Sequence, residues 1–269
     1  MKIDLHNHTI HSDGVLTPKE LVERAVKNHV DIFALTDHDS VFGCDEIVEI
    51  AKDYPVRVIK GLELSTDHKG DSVHIVCLFK NNIVTPNMIE FSKNIVKKRE
   101  ERAIKMMNNI HDIYGLKIDI DDLFKDAQVI TRANMLRSIA RINNLSLEEA
   151  SFYVSNDSKA YIPSTKMSVK EGIALVRENN CFVILAHPCL IRHQENLREI
   201  LDYGFDGIET RYPSVKNDEE YFKKIAKEYK LIPSAGSDCH GDITHSDIGT
   251  STLNEKEFKA IAERIGFKI

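Results

Sequence analysis

No apolar run in these 269 residues approaches the roughly 20 that a membrane-spanning helix needs, so none is expected. The five cysteines, at 44, 77, 181, 189 and 239, are odd in number, and no two stand in C-x-x-C spacing. That argues against a disulfide framework or a cysteine-ligated structural zinc, and for reduced thiols in the cytosol. The first residues already read as a strand followed by candidate ligands, which leaves no room for a signal peptide and fits a cytoplasmic protein. Positive charge is the minority: 36 Lys and Arg against 42 Asp and Glu give a formal net charge of −6. A large non-specific nucleic-acid surface, and duplex DNA as partner, are therefore disfavoured. A short anionic substrate held at a local positive site is not. The 42% hydrophobic fraction is ample for a core, and the length suits an α/β barrel. The unusual abundance is histidine, with twelve.

The first stretch of interest is His6-Asn-His8-Thr-Ile-His-Ser-Asp13-Gly14, directly after a short apolar run. Residues two apart on an extended strand share a face, so His6 and His8 can aim two imidazoles at one point, with Asp13-Gly14 turning back beside them. Such a set suits a metal ion, although the same stretch would also serve as a solvated strand end.

Hydrophobic periodicity predicts strands over 1–5, 31–36, 56–64, 72–79, 181–186, 207–211 and 231–236, mostly separated by helices. That alternation predicts a parallel sheet. Between 86 and 165 only helices are expected: a long one over 85–114, then 121–126, 132–142 and 147–154. The chain thus divides into a barrel over 1–85 and 166–269 and a helical insertion over 86–165. The charge run 97–102 inside the long helix reads as a solvated face. Polar residues recur where strands end: His6 and His8 after the first, His38 after the second, Glu63 near the end of the third. His187 follows the fifth, and Asp238 and His240 the seventh. His74 stands within the apolar fourth. The carboxyl ends of barrel strands share one face, and that face carries the chemistry.

The segments HNHTIHSDG (6–14), TDHDS (36–40), GLELS (61–65), VHIV (73–76), AHP (186–188) and GSDCH (236–240) resemble the PHP (polymerase and histidinol phosphatase) superfamily. Length and insertion are similar to those of its stand-alone phosphoesterases of the RNase AM and 3′,5′-nucleoside bisphosphate phosphatase type. The resemblance implies an α/β fold, a distorted seven-stranded (β/α)7 barrel, with two or three divalent ions (Mn²⁺, Zn²⁺ or Fe²⁺) at the strand ends. It assigns His6, His8, Glu63 and Asp238 to one ion. Glu63 bridges to a second with His74 and His187, and Asp13, His38 and His240 hold a third. The implied reaction is hydrolysis of a small phosphorylated substrate by metal-activated hydroxide. A nucleoside 3′,5′-bisphosphate or the 5′-nucleotide of a short RNA is the implied substrate.

Arg132 and Lys166 occupy insertion positions that resemble phosphate-holding residues, and Arg211, ending the sixth strand, should face the site. Two features depart from the pattern. The usual T-R-P-H reads Thr131-Arg132-Ala133-Asn134, and Leu190 stands where an arginine is common after AHP, so that Arg192 would substitute only by a loop shift. These departures keep open a cyclic phosphodiesterase acting on a phosphorylated sugar. Amide hydrolysis and a non-catalytic metal module are the remaining readings; the first is disfavoured by a bridging Glu63, the second by the full ligand set. His11, His29, His68, His111, His193 and His245 are left as non-ligands. Asp37 and Asp39 either orient His38 or serve the turn, and Cys189 and Cys239 read as packing.

Overall fold

The computed structural model describes residues 1–125, 129–163 and 166–269. The elements run β1 (Ile3–Asp4), α1 (Pro18–Lys27), β2 (Ile32–Leu35), α2 (Gly43–Ala51), β3 (Arg57–His68) and β4 (Asp71–Phe79). Helices α3 (Pro86–Tyr114), α4 (Ile120–Phe124), α5 (Arg132–Asn143) and α6 (Leu147–Val154) follow. The chain then returns to alternation with β5 (Met167–Ser168), α7 (Val169–Glu178), β6 (Cys181–Leu185), α8 (Leu197–Leu201), β7 (Gly207–Arg211), α9 (Glu219–Tyr229), β8 (Ile232–Ala235) and α10 (Glu255–Ile265). Asp126, expected to end the short helix, and residue 165, expected to end the insertion, lie outside the described residues.

The strands are ordered β1-β2-β3-β4-β6-β7-β8, with β5 attached to β3. Backbone bonds from Leu5 N to the Ala235 carbonyl (3.2 Å), Asp238 N to that of His6 (2.9 Å) and His8 N to that of Cys239 (2.8 Å) bring the first and last strands together. The result is a nearly closed barrel.

The sheet is not wholly parallel, as strand–helix alternation had implied: β4 runs antiparallel to both β3 and β6. The cause is local. Lys69 (φ 53°) and Gly70 (φ 87°) both adopt left-handed backbone, and His68 pairs with Asp71. That is a two-residue hairpin, which can join only antiparallel strands. Strand β3 also runs five residues beyond Glu63, so Glu63 lies inside it, level with His38 through a parallel bridge.

Capping fixes where helices begin. Thr17, Thr131, Ser146, Ser168 and Asn254 each close a capping box with the residue three positions on. Alternate residues of the strands fill the barrel, including Ile32, Ala34, Val76, Leu78, Phe182 and Ile184, and Phe258 and Ile261 of α10 pack against them. The opposite faces meet the helices: Phe33 and Leu35 pack with Leu21, Val22 and Ala25 of α1, and Leu64 and Ile75 with Val169 and Ile173 of α7. Helices α3, α5 and α6 share a separate apolar cluster around Met106, Met107, Ile110, Met135, Ile139 and Val154. On α3, Ile89 and Ile113 lie outside this cluster and are exposed. Among the described residues no helix is long and apolar enough to cross a membrane.

Candidate metal centre and substrate cleft

The segment after β1 is held by buried acids. Asp4 accepts hydrogen bonds from His6 N (3.3 Å), Asn7 Nδ2 (3.1 Å), Ser237 N (3.0 Å), Ser237 Oγ (2.5 Å) and Gly249 N (2.7 Å). Asp37 accepts from Thr9 N and Oγ1 (both 2.7 Å) and from Ser12 Oγ (2.6 Å). Asp37 therefore fixes the loop carrying the first motif. Asp39 faces elsewhere, to Ser65 N (2.7 Å) and Arg99 Nε (2.9 Å).

So held, the expected residues converge. His6 Nε2 lies 3.3 Å from Glu63 Oε2 and 3.4 Å from Asp238 Oδ1; His8 Nε2 lies 3.3 and 3.0 Å from the same atoms. The other oxygen of Glu63 meets His74 Nδ1 (3.0 Å) and His187 Nε2 (2.9 Å), while His38 Nδ1 reaches Oε2 (3.0 Å). Asp13 faces His240 Nε2 (3.2 Å) and His38 Nε2 (3.8 Å). Three groups, His6/His8/Glu63/Asp238, His38/Glu63/His74 and His8/Asp13/His38/His240, have donor atoms all within 4.8 Å of one another.

The donors themselves test whether ions fit here. His6 Nε2, His8 Nε2, His38 Nδ1, Asp13 Oδ1 and Asp238 Oδ1 are buried and make no hydrogen bond. Buried polar atoms without partners are costly, and these point toward one another, as ligands of a shared cation do. Imidazoles with carboxylates suit Zn²⁺, Mn²⁺ or Fe²⁺.

Charge inside the cluster is strongly coupled. Burial alone would raise the carboxyls of Glu63, Asp13 and Asp238, yet the surrounding imidazoles hold all three well below the usual range. Burial pushes the other way on His8, but Asp238 and Glu63 raise it to about 10. On His38 burial wins and lowers it to about 3.

Glu209 was not anticipated. It is fully buried, with Oε1 3.0 Å from His6 Nδ1 and Oε2 accepting His187 N at 2.6 Å. A carboxylate oxygen beside Nδ1 favours the His6 proton on that nitrogen and leaves Nε2 as the atom facing Glu63 and Asp238. His240 is set the same way by Nδ1 donating to the Asp238 carbonyl (2.9 Å), and Tyr212 donates to Asp238 Oδ2 (2.8 Å). His187 (φ 25°) and Asp238 (φ 52°) hold left-handed backbone.

Beside the cluster opens a cleft of about 370 Å³ whose lining includes Asp13, His38 and His74 together with Arg99, Arg102, Arg132, Lys166 and Arg192. Arg132 and Lys166 were expected there. Arg99 and Arg102 come from the charge run read as a solvated face; spaced by three on α3, they turn inward while Lys97, Lys98 and Glu101 remain exposed. Arg102 Nε donates to the Ile162 carbonyl (2.8 Å), leaving Nη2 buried without a partner, and Arg102 and Arg132 both stand over the Tyr161 ring, at 5.4 and 5.5 Å. Lys166 donates to Ser72 Oγ (2.6 Å), itself 3.0 Å from His74 Nε2, and burial lowers its pKa to about 8. Leu190 and Arg192 both line the cleft. The oxygen of Asn134 is spent on the α5 cap, accepting Thr131 N at 2.8 Å.

Arg211 does not face this cleft, contrary to expectation. Its guanidinium pairs with Glu219 (3.1 Å) and Glu257 and donates to the Thr252 carbonyl (2.5 Å). Plain alternation would put residues 209 and 211 on one face, but an irregularity in the β7–β8 register falls between them. Glu209 alone turns to the site. Of the histidines left aside, His11 meets Glu46 (2.9 Å), and His245 stacks on His240 with centroids 4.0 Å apart.

A family model described as the PHP domain matches residues 4–120. A 5′-3′ exoribonuclease of Haemophilus influenzae is 30% identical over 254 residues, spanning 89% of this chain and 90% of that protein. A 3′,5′-nucleoside bisphosphate phosphatase of Chromobacterium violaceum is 28% identical over 91% of each chain. A phosphoribosyl 1,2-cyclic phosphate 1,2-diphosphodiesterase of Eggerthella lenta is 23% identical over 88% of this chain and 94% of its own. Among solved structures, a metal-dependent phosphoesterase from Bifidobacterium adolescentis superimposes with TM-score 0.86 at 25% identity, covering 97% of this chain and 96% of the other.

Proposed function

This chain belongs to the PHP family of metal-dependent phosphoesterases, and from that premise we propose that it hydrolyses a small substrate carrying more than one phosphate, a nucleoside 3′,5′-bisphosphate or the 5′-end of a short RNA. It is an enzyme of phosphoester hydrolysis; the substrate is our reading. His6, His8, Glu63 and Asp238 would hold one divalent ion, Glu63, His74 and His187 a second, and Asp13, His38 and His240 a third, with Mn²⁺, Zn²⁺ or Fe²⁺ suited to the donors. Bound there, such ions lower the pKa of water and offset charge on a phosphoryl group.

The protein's own side chains do the rest. Glu209 and the Asp238 carbonyl keep two imidazoles in the tautomer with Nε2 free. Arg102, Arg132, Lys166 and Arg192 present positive charge at neutral pH along a cleft that His38 and His74 also line. That continuity carries the proposal: a second phosphate would lie among the guanidiniums while the first lies at the strand ends. Lysine and arginine so placed bind and orient, and an oriented substrate needs less further ordering to react.

A cyclic phosphodiesterase acting on a phosphorylated sugar is the second reading. The Eggerthella lenta relative favours it, and so does Asn134, whose oxygen is committed to a helix cap where the usual motif has histidine. Five buried free thiols support work in a reducing compartment such as the cytoplasm.

The test is product analysis with Mn²⁺-loaded protein on three substrates: adenosine 3′,5′-bisphosphate, a 5′-phosphorylated oligoribonucleotide, and ribose 1,2-cyclic phosphate bearing a 5-phosphate. Inorganic phosphate from the first or 5′-mononucleotide from the second is expected. A ring-opened monoester from the third alone selects the second reading. No product from any would overturn both.

A further inference from the structure

Arg137 shares α5 with Arg132 but reaches the barrel, not the cleft. Its Nη2 donates to the backbone carbonyl of Asp13 at 2.6 Å and stands 3.9 Å from Oδ2 of Asp242. Asp242 Oδ1 accepts from Thr244 N (2.9 Å) and His245 N (3.0 Å), and lies 2.9 Å from His245 Nδ1. The His245 ring stacks on that of His240 at 4.0 Å and 25°, and His240 Nε2 lies 3.2 Å from Asp13 Oδ1. The contacts close a ring: Arg137, Asp13, His240, His245, Asp242 and back to Arg137.

We infer that Arg137 is a positioning residue that sets how tightly the Asp13/His38/His240 group holds a divalent ion. The inference rests on the reading that this group takes one. Asp13 is carried by the loop between β1 and α1, not by a strand, so its carboxylate is only as well placed as that loop. Arg137 pins the loop through the carbonyl of Asp13 itself. A guanidinium near a cation would ordinarily repel it, but this one donates to the backbone and has Asp242 beside it to balance its charge. The same ring aligns His240 through the stacked His245. Because Arg132 lies on the same helix, an occupant of the cleft and an ion at Asp13 would both depend on where α5 sits.

The experiment measures Mn²⁺ binding by equilibrium dialysis with mass-spectrometric metal counting, for the wild type and for Asp13→Ala, Arg137→Ala and Arg137→Lys. The equivalent lost in Asp13→Ala defines the ion in question. Arg137→Ala should bind that equivalent about tenfold more weakly and keep the others, since partners of ligands typically contribute 10–100-fold. Arg137→Lys, which keeps a donor and a charge, should recover part of the loss. Metal-stripped wild type and Arg137→Ala should melt together, and kcat should fall more than KM rises at limiting Mn²⁺. Unchanged Mn²⁺ binding in Arg137→Ala overturns the inference. So does a drop in metal-stripped melting temperature that Arg137→Lys does not relieve, because Arg137 would then serve folding alone. If Asp13→Ala keeps every equivalent while His8→Ala loses one, the inference fails and the phosphoesterase reading stands. Wild type that binds no Mn²⁺ sinks the metal reading itself.

Discussion

Replacing Glu209 with glutamine changes one atom type at a fully buried position, and its consequence can be worked out from two contacts. Glu209 accepts from the backbone N–H of His187 at 2.6 Å and meets Nδ1 of His6 at 3.0 Å. A glutamine has one acceptor and one donor end. The His187 N–H can only donate, so the glutamine oxygen must stay with it, and the amide NH₂ then faces His6 Nδ1. That nitrogen must become an acceptor, which moves its proton to Nε2, the atom aimed at Glu63 and Asp238. The ligating lone pair is lost. A charge-assisted hydrogen bond is worth about 1.5–3 kcal/mol, and each 1.4 kcal/mol is tenfold in affinity, so Mn²⁺ should bind about 10- to 100-fold more weakly. Chelator-competition titration measures this directly. The metal-stripped protein should melt near the wild-type temperature, since shape and one hydrogen bond survive. Wild-type Mn²⁺ affinity in Glu209→Gln would refute the assignment of His6 tautomer and with it this account of the site.

Arg102→Ala should raise KM for a doubly phosphorylated substrate about tenfold with little change in kcat, because Arg102 is one of the cationic residues lining the cleft; an unchanged KM would remove it from substrate binding. Lys166 has its pKa lowered to about 8, chiefly by burial and then by Arg99, so it is charged below that pH and neutral above it. The ratio of wild-type to Lys166→Met kcat/KM should therefore be largest near pH 7 and shrink as pH rises through about 8; a ratio flat from pH 6.5 to 9.5 would contradict a charge role. His8→Ala should lose metal and activity while circular dichroism stays native-like, and a fully active, metal-replete variant would be fatal to the reading.

Much of this was legible because the candidate ligands obey strand geometry. His6 and His8 share a face by simple alternation, and His38, His187, Asp238 and His240 follow strands that end at one rim. His74 was harder. It stands in an apolar strand and reaches Glu63 only because the Lys69-Gly70 hairpin lays β4 antiparallel on β3, opposite Ser65. That dipeptide was the available signal for the reversed strand. Glu209 and Arg211 look equivalent in sequence, and only a register irregularity, which alternation does not encode, sends one to the site and the other to Glu219 and Glu257. Arg99 and Arg102 were hidden by their neighbours. In a run of charges the composition says solvent, while the spacing of three says one helix face, and the tertiary placement of α3 turns that face to the cleft. Asn134 departs from the expected motif and closes the α5 capping box from its third helical position, where Glu or Gln is usual.

The reading of this site stands or falls on whether the unpartnered buried donors at the strand ends hold divalent ions. Crystals grown with Mn²⁺ and measured for anomalous scattering test it most directly. A strong peak is expected, bounded by His6 Nε2, His8 Nε2, Glu63 Oε2 and Asp238 Oδ1, with further peaks beside Glu63 Oε1 and Asp13. Well-ordered density showing those atoms hydrogen-bonded to one another, with no anomalous signal among them at saturating Mn²⁺, would contradict it.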